Sequence, residues 1–157
     1  MEVPATIIQI AGLAQRADFI SIGSNDLPQY WSAVDRNNTR VADLYSAYHP
    51  SVLRAVRYVV NEVHRVGKTV SICGEMAGDP GTAILLMAMG FDSLSMSASN
   101  LLKVRKTICH TPLSEAKLLL DEVLAYDNPV QIRATVEAKL TALGLIDLIR
   151  PQGARAS

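Results

Sequence analysis

The stretch SIGSNDLPQY, residues 21–30, follows the apolar run DFI and places Asn25 and Asp26 directly after a predicted strand end. The stretch TVSICGEMAGDP, residues 69–80, repeats this pattern, and its reactive group is the thiol of Cys73. In parallel α/β architectures the carboxyl ends of the strands form the ligand face. Glycine in such a turn lets a ligand approach the backbone closely. We therefore expect both turns to line one edge of a sheet.

Helical patterns precede each apolar run, which indicates parallel βαβ units. The near-continuous apolar strands are typical of a sheet that helices cover on its faces. The predicted strands are DFISIG at 18–23, KTVSICG at 68–74 and FDSLSMS at 91–97, and the helices before them lie at 5–16, 50–65 and 79–89. The rest of the chain is predicted to be helical, at 100–109, from Ser114 onward, and from about 129 to 143.

Local signals place several helix ends. Pro50 suits the start of a helix, where its missing N–H costs nothing, and Gly67 suits a C-terminal cap. Asp79 is predicted to cap the third helix at its N-terminus and Gly90 to end it. Ser114 is predicted to cap a later helix.

The composition indicates which classes of protein and of partner the chain fits. The 157 residues fit one domain or a piece of a larger one, and 49% hydrophobic with 19% charged residues favour a buried core over disorder. Fifteen basic residues balance fifteen acidic ones, so charge gives no case for nucleic acid or an anionic membrane as partner. No run approaches the roughly 18 apolar residues of a membrane span, and no signal peptide is visible.

Two cysteines, Cys73 and Cys109, make no disulfide framework, and we expect free thiols in a reducing cytosol. The opening MEVP at 1–4 is typical of the end of a strand, so we expect the chain to begin inside a larger domain. We expect residues 1–150 to form part of one domain and residues 151–157 to be a frayed tail.

Glu2 and Asp26 are carboxylates at two predicted strand ends. Mg²⁺ takes one or two protein carboxylates together with substrate oxygens and water, so one interpretation is a magnesium site. The alternative is that Asp26 caps the segment LPQYW and that Glu2 is merely exposed. Spacing alone does not decide between the two.

Arg36 and Cys73 also carry two interpretations each. The planar guanidinium of Arg36 suits a phosphate or a carboxylate, but it could instead pair with Asp35 or Asp43. A thiol is mostly protonated at neutral pH, so Cys73 suits a general acid, whereas a free cysteine is commonly an inert buried residue. The three histidines lack metal-ligand spacing, and the chain lacks the usual phosphate-loop and dinucleotide patterns.

Several segments in order closely resemble the phosphoenolpyruvate-binding domain of Enzyme I, the phosphoenolpyruvate–protein phosphotransferase that starts the bacterial sugar phosphotransferase system. The resemblance runs from Glu2 to about Leu124 and more loosely to Pro151. The sequence of the matching segments is most similar to the paralogue of the nitrogen-related branch. Pyruvate phosphate dikinase and phosphoenolpyruvate synthase share the Asn-Asp and Cys-Gly pieces, so a relative of these enzymes is an alternative, but the segments CGEMAGDP and SMSAS favour Enzyme I. The segments are DFISIGSNDLPQYWSAVDRNN, HPSVLRAV, GKTVSICGEMAGDP, LLMAMGFDSLSMSASN and VRKTI.

The resemblance implies a (β/α)₈ barrel, of which this chain matches the end of the fifth strand and strands six to eight. It implies that Glu2 and Asp26 bind Mg²⁺ and that Asn25 contacts the phosphoryl group. It further implies that Arg36 binds phosphate and that Cys73 protonates the enolate of pyruvate.

The function implied by the resemblance is transfer of the phosphoryl group of phosphoenolpyruvate to a protein histidine, with Mg²⁺ and release of pyruvate, followed by transfer to a phosphocarrier protein. The histidine domain and the early barrel strands are absent from these residues, so we expect the chain alone to be inactive. The alternative is a non-catalytic dimerisation or regulatory module. In either case we expect a homodimer or higher oligomer, since open strand edges recruit partners.

Overall fold

The structure of the protein is a computed structural model that describes residues 1–35, 38, 40–41 and 45–149. Within this part of the chain, three parallel strands form one sheet in the order β1-β2-β3, as the alternating pattern predicts. They lie inside the predicted apolar runs but are shorter: β1 is Phe19–Gly23, β2 Thr69–Cys73 and β3 Ser93–Ser95. The α/β class is confirmed, and the described residues form an open sheet rather than a closed barrel.

Helices make up most of the described chain. The first half contains α1 Pro4–Ile8, α2 Ile10–Arg16, α3 Asp26–Ser32 and α4 Pro50–Arg65. The second half contains α5 Glu75–Gly78, α6 Pro80–Met89, α7 Ala98–His110, α8 Leu113–Leu124, α9 Pro129–Ala142 and a 3₁₀ turn, Ile146–Leu148. Among the residues that the structure describes, no helix has the length and apolar character needed to cross a membrane.

Most predicted helix ends are confirmed because their signals are local. The Asp79 carboxylate accepts a 2.8 Å hydrogen bond from the Thr82 N–H at the start of α6. Gly90 ends α6 with φ +95° and Gly67 follows α4 with φ +70°, backbone conformations that favour glycine. Pro50 is the first residue of α4.

Two predictions near helix ends are wrong. Ser114 is not a cap, because α8 begins one residue earlier, after Pro112, whose backbone at φ −58° and ψ +134° sets the entry into the helix. The predicted helix at 5–16 is interrupted at Gln9, whose φ of −98° and ψ of +6° end α1. Ile7 and Ile10, on either side of the interruption, are buried, whereas Ile8 is 78% exposed.

The core lies between the sheet and the helices that cover it. Helix α4 packs on α2 and β2, and it buries one apolar face: Val52, Leu53, Val56, Val59, Val60 and Val63. Helix α6 is buried almost throughout and packs against α7 and α8. Burial of apolar side chains on this scale is the main stabilising contribution to the fold.

The strand ends align across the sheet. Gly23 pairs in register with Cys73, and Cys73 pairs with Ser95. Met1 extends this edge, since its amino group donates to the Ser21 carbonyl and its carbonyl accepts a 2.9 Å bond from the Gly23 N–H. Met1 thus bonds to the residues on both sides of Ile22, Ser21 and Gly23, which is the hydrogen-bond pattern of a parallel pair of strands. The turns that follow the strands therefore start at one level.

Candidate functional site

A cavity of about 420 Å³ opens where the three strands end. Its lining combines residues at or after the ends of all three strands: Asn25, Cys73, Gly74, Glu75, Ser95, Met96, Ser97 and Asn100. Two of the predicted site residues, Asn25 and Cys73, are thus brought together, as a ligand face at the carboxyl ends of parallel strands requires.

Cys73 is the last residue of β2 and its side chain is exposed. The Sγ atom lies 3.5 Å from the carbonyl oxygen of Ile22 on the neighbouring strand, within reach of a weak S–H donor. The alternative interpretation, an inert buried hydrophobic residue, does not fit this exposure. Cys109, near the end of α7, is also exposed and lies apart from the cavity.

Glu2 lies against the last residue of β1. A Cβ atom added to Gly23 would meet the Glu2 side chain at 2.7 Å from Cγ and 2.8 Å from Oε1. Real Cβ atoms do not approach other atoms so closely, so the glycine provides the space that the carboxylate occupies. This explains why β1 ends in glycine.

Asp26 is the first residue of α3, and Asn25 occupies the cap position. No side-chain hydrogen bond caps this helix, so the alternative in which Asp26 serves as a cap is wrong. Asp26 is half-buried and lies outside the lining of the cavity.

The carboxylates of Glu2 and Asp26 fit a magnesium ion by their chemistry. Both supply hard oxygen ligands, and Mg²⁺ commonly needs only one or two protein carboxylates. The space above Gly23 holds one of them at the start of the turn that follows β1. Within the described ranges, no group of three or more His, Cys, Asp and Glu side chains gathers as a metal cluster.

Arg36, the predicted phosphate-binding residue, lies outside the described residues, as do Asp43 and the predicted tail at 151–157. Its distance from the cavity is therefore not defined, and its assignment stays a prediction.

The turn after β2 is held by side chains that follow β1. The Asn25 Oδ1 atom accepts a 2.9 Å hydrogen bond from the Glu75 N–H, and the Ser24 Oγ atom accepts a 3.2 Å bond from the Met76 N–H. Gly74 between them has φ +109°, and a Cβ there would lie 2.6 Å from both acceptor oxygens. The glycine after Cys73 is thus required by the backbone conformation and by the close approach of the two side chains.

Sequence reasoning placed Ser24 at this edge but missed its bond to Met76, and it missed Asn100 altogether. Ser24 is only 1% exposed, and nothing local marks this bond, because its partner lies 52 positions away. Asn100, on the first turn of α7, lines the cavity with its Nδ2 atom against Gly78. The one available signal for this wall is the small-residue run SMSAS at 95–99, which contributes Ser95, Met96 and Ser97 to the lining.

The three histidines have structural partners, in agreement with their lack of metal-ligand spacing. The His49 Nδ1 atom caps α4 and lies 2.7 Å from the Ser51 hydroxyl. The His64 Nε2 atom lies 3.0 Å from Asp92, and His110 bonds within α7.

Comparison with known proteins places the chain in a family. Residues 1–113 match the family described as PEP-utilising enzyme, PEP-binding domain. A Listeria monocytogenes protein named phosphoenolpyruvate-protein phosphotransferase is 44% identical over 142 residues, which cover 90% of this chain and 25% of that protein. A Buchnera aphidicola protein of the same name is 43% identical over 136 residues, covering 87% of this chain and 24% of its own length.

A third relative, from Salmonella typhimurium, is named phosphoenolpyruvate-dependent phosphotransferase system. It is 39% identical over 150 residues, which cover 96% of this chain and 20% of that protein. The chain therefore spans about a fifth to a quarter of the length of the curated relatives that it matches.

Proposed function

The chain belongs to the family of phosphoenolpyruvate-binding domains of the PEP-utilising enzymes, and we propose that it forms part of a phosphoenolpyruvate–protein phosphotransferase. The whole protein would move the phosphoryl group of phosphoenolpyruvate to a histidine on a domain outside these residues. A phosphocarrier protein would be the next acceptor. A single observation carries the proposal: Asn25, in the turn after β1, and Cys73, the last residue of β2, line one cavity at the carboxyl ends of the sheet.

The two sides of this cavity suit the two halves of the reaction. On one side, the Asn25 amide would contact the phosphoryl group through its Nδ2 atom, since its Oδ1 atom is engaged by the Glu75 N–H. Arg36 would add positive charge there. Phosphoryl transfer depends on such positioning and charge neutralisation more than on covalent help from the protein.

Cys73 would serve the second half of the reaction, which is protonation of the enolate. The bond between phosphorus and the enol oxygen breaks as the bond to the histidine nitrogen forms, which leaves the enolate of pyruvate. The Cys73 thiol would give its proton to the terminal carbon of that enolate, and the resulting thiolate would regain a proton from water. Exposure of Cys73 at the strand end supports this role, because a donor must reach the substrate.

Glu2 and Asp26 would hold Mg²⁺ beside the phosphoryl group. When bound, the ion supplies positive charge to the phosphoryl oxygens. The chain's own part is to keep two carboxylates at neighbouring turns, one of them in the space above Gly23.

The proposal includes the larger architecture. Residues 1–150 would be the last part of a (β/α)₈ barrel, with Met1 at the end of the fifth strand and β1 to β3 as strands six to eight. The bonds from Met1 to β1 support this, since they give β1 a further parallel neighbour. The nitrogen-branch assignment and a cytoplasmic location stay predictions from the sequence.

Calorimetric titration of the chain with phosphoenolpyruvate in the presence of Mg²⁺ tests the site. Binding that Asp26→Ala abolishes would support the proposal. Asp121→Ala, which removes an exposed carboxylate from α8, is the matched control and should leave binding unchanged. Equal binding by both variants would contradict the metal assignment.

Activity is tested separately by single-turnover release of pyruvate. We expect none from this chain alone, because the phosphorylated histidine and further phosphate-binding arginines belong to other parts of the whole protein. Sustained release without an added domain would contradict this expectation.

A non-catalytic dimerisation module is the second candidate, and the edge of the sheet favours it. In the described part of the chain β3 pairs on one side only, with β2. An open strand edge is a template for pairing with another chain. Dimers in light scattering without phosphoenolpyruvate binding would favour the module, whereas a monodisperse monomer in sedimentation would exclude it.

A further inference from the structure

Helix α5, Glu75–Gly78, begins directly after Gly74, a residue with no side chain to cap it. The missing acceptors come from another part of the chain. Asn25 Oδ1 accepts from the Glu75 N–H and Ser24 Oγ from the Met76 N–H, so the turn after β1 caps the helix that follows β2. Caps supplied by oxygen side chains satisfy N–H groups that a helix start leaves unpaired.

Ser24 makes two hydrogen bonds within this connection between the two turns. It is 1% exposed, and its N–H donates a 2.8 Å hydrogen bond to the Cys73 carbonyl. Ser24 therefore contacts the backbone on both sides of Gly74, at Cys73 through its N–H and at Met76 through its hydroxyl. In the same region Tyr45 Oη lies 3.3 Å from the Ser24 carbonyl, which further fixes the turn after β1.

From this geometry we propose that Ser24 is a positioning residue for Cys73. It fixes the turn that directly follows Cys73 at the end of β2, so that the thiol stays next to the Ile22 carbonyl and faces the cavity. The phosphate-side turn and the proton-donor turn then form one rigid unit. The inference deepens the proposed function, on which the meaning of Cys73 as a proton donor rests.

The Ser24→Ala change tests the contribution of the Ser24 hydroxyl alone. It removes the acceptor of the Met76 N–H while keeping the Ser24 backbone bond to Cys73. A buried N–H without an acceptor destabilises the start of α5, and the turn opens locally. Cys73 would then leave the Ile22 carbonyl and become more accessible to small reagents.

The experiment measures alkylation of Cys73 by iodoacetamide at one fixed pH in the 157-residue chain carrying Cys109→Ser, which leaves a single thiol. We expect Ser24→Ala to raise the rate by roughly fivefold, the scale of losing one capping hydrogen bond. Ser24→Thr keeps the hydroxyl and should restore the rate of the parent. Hydrogen exchange of the Met76 amide should rise in Ser24→Ala and stay protected in Ser24→Thr.

Thr107→Ala is the matched control, because it also removes a buried hydroxyl, one that bonds the Lys103 carbonyl within α7. It should not change the alkylation rate. An unchanged rate in folded Ser24→Ala, or an equal rise in Thr107→Ala, would overturn the proposal. If Ser24→Ala does not fold, Asn25→Ala removes the neighbouring acceptor of the Glu75 N–H and must raise the rate instead.

This experiment is independent of the proposed function. Alkylation needs neither phosphoenolpyruvate nor Mg²⁺, so a positive result stands even if the chain binds no substrate. Failure of the calorimetric titration would remove the catalytic meaning of Cys73 and leave its positioning by Ser24 intact.

Discussion

The hydroxyl of Tyr48 donates a 2.7 Å hydrogen bond to Oδ2 of Asp79. The same carboxylate oxygen accepts the 2.8 Å bond from the Thr82 N–H that caps α6. Tyr48 is 9% exposed, and the Arg133 guanidinium of α9 lies 6.0 Å from its ring centroid. This contact therefore connects the segment before α4 to the start of α6 and to α9.

We expect Tyr48→Phe to lower the free energy of unfolding by about 1.5–3 kcal/mol, the usual contribution of a hydrogen bond to a charged group. The phenyl ring should keep the packing, and the Thr82 cap should remain. Urea unfolding should show a lower midpoint with an unchanged slope. Tyr58→Phe, which alters a tyrosine that is 44% exposed, is the control and should have no measurable effect.

The same contact predicts how stability depends on alkaline pH. Burial, followed by the charge and the hydrogen bond of Asp79, raises the pKa of Tyr48 far above its ordinary value. Above a pH of about 10 the unfolded chain loses this proton and the folded chain keeps it. The stabilising contribution is therefore complete below that pH and is lost as the pH rises further. Urea midpoints measured up the alkaline range should fall less steeply in Tyr48→Phe than in the parent; equal slopes would contradict the assignment.

Helix ends could be predicted because the residues that decide them are adjacent in sequence. Asp79 caps an N–H three positions on, and Gly90 ends the same helix through its own backbone conformation. The capping of α5 could not be predicted this way. Its acceptors on Ser24 and Asn25 belong to a different turn, and only the parallel register of β1 and β2 brings them to Glu75 and Met76.

The residues of the candidate site also divide into those that the sequence could predict and those that it could not. Asn25 and Cys73 could be predicted to share an edge, because each follows an apolar run. Asn100 was missed because its role depends on where α7 begins relative to Gly78, and this is set by packing between α5 and α7. The resemblance supplied roles for individual residues, which the apolar pattern alone left open.

Three glycine-to-alanine changes distinguish the effect of backbone conformation on stability from the effect of steric contact. Gly12 lies in α2 with nothing within 4 Å of an added Cβ, so Gly12→Ala should stabilise the protein by about 0.5–1 kcal/mol. Gly67 also has free space but has φ +70°, so Gly67→Ala should destabilise by about 1 kcal/mol. Gly74→Ala adds contacts of 2.6 Å to a φ of +109° and should cost the most.

Urea unfolding of the three variants should therefore give midpoints in the order Gly12→Ala, Gly67→Ala, Gly74→Ala, from highest to lowest. Gly74→Ala should in addition expose the Glu75 and Met76 amides to hydrogen exchange. If Gly74→Ala is no less stable than Gly67→Ala, then Ser24 and Asn25 do not approach the glycine as closely as the structure indicates.

Arg54 stabilises the end of α8 by a different means. Its guanidinium donates to the carbonyls of Leu124 and Tyr126 and pairs with Asp127 at 2.8 Å. Lysine cannot reproduce this fork, so we expect Arg54→Lys to destabilise by about 1 kcal/mol. Urea unfolding measures the loss. Arg57→Lys on the same helix is the control, and an equal loss in both variants would assign the effect to the helix surface rather than to the carbonyls of α8.

The Asn25 Oδ1 atom accepts from the Glu75 N–H, and the proposed function assigns the Nδ2 atom to the phosphoryl group. Asn25→Asp tests these two contacts separately. The aspartate keeps an oxygen acceptor for the Glu75 N–H, so the turn after β2 should hold and the urea midpoint should stay within about 0.5 kcal/mol of the parent. It replaces the Nδ2 donor by a negative charge that repels a phosphoryl group. We therefore expect phosphoenolpyruvate to bind at least about tenfold more weakly with Mg²⁺ present, since charge-assisted donors contribute more than 1.4 kcal/mol.

Backbone amide chemical shifts measure both properties in one sample. The Glu75 amide should keep its hydrogen-bonded shift in Asn25→Asp and lose it in Asn25→Ala, whereas the shifts induced by phosphoenolpyruvate should diminish in both. Asn61→Asp adds the same charge on the exposed side of α4 and should leave binding unchanged. Undiminished binding by Asn25→Asp would mean that the Nδ2 atom does not contact the phosphoryl group, because the added charge at that position should otherwise repel it.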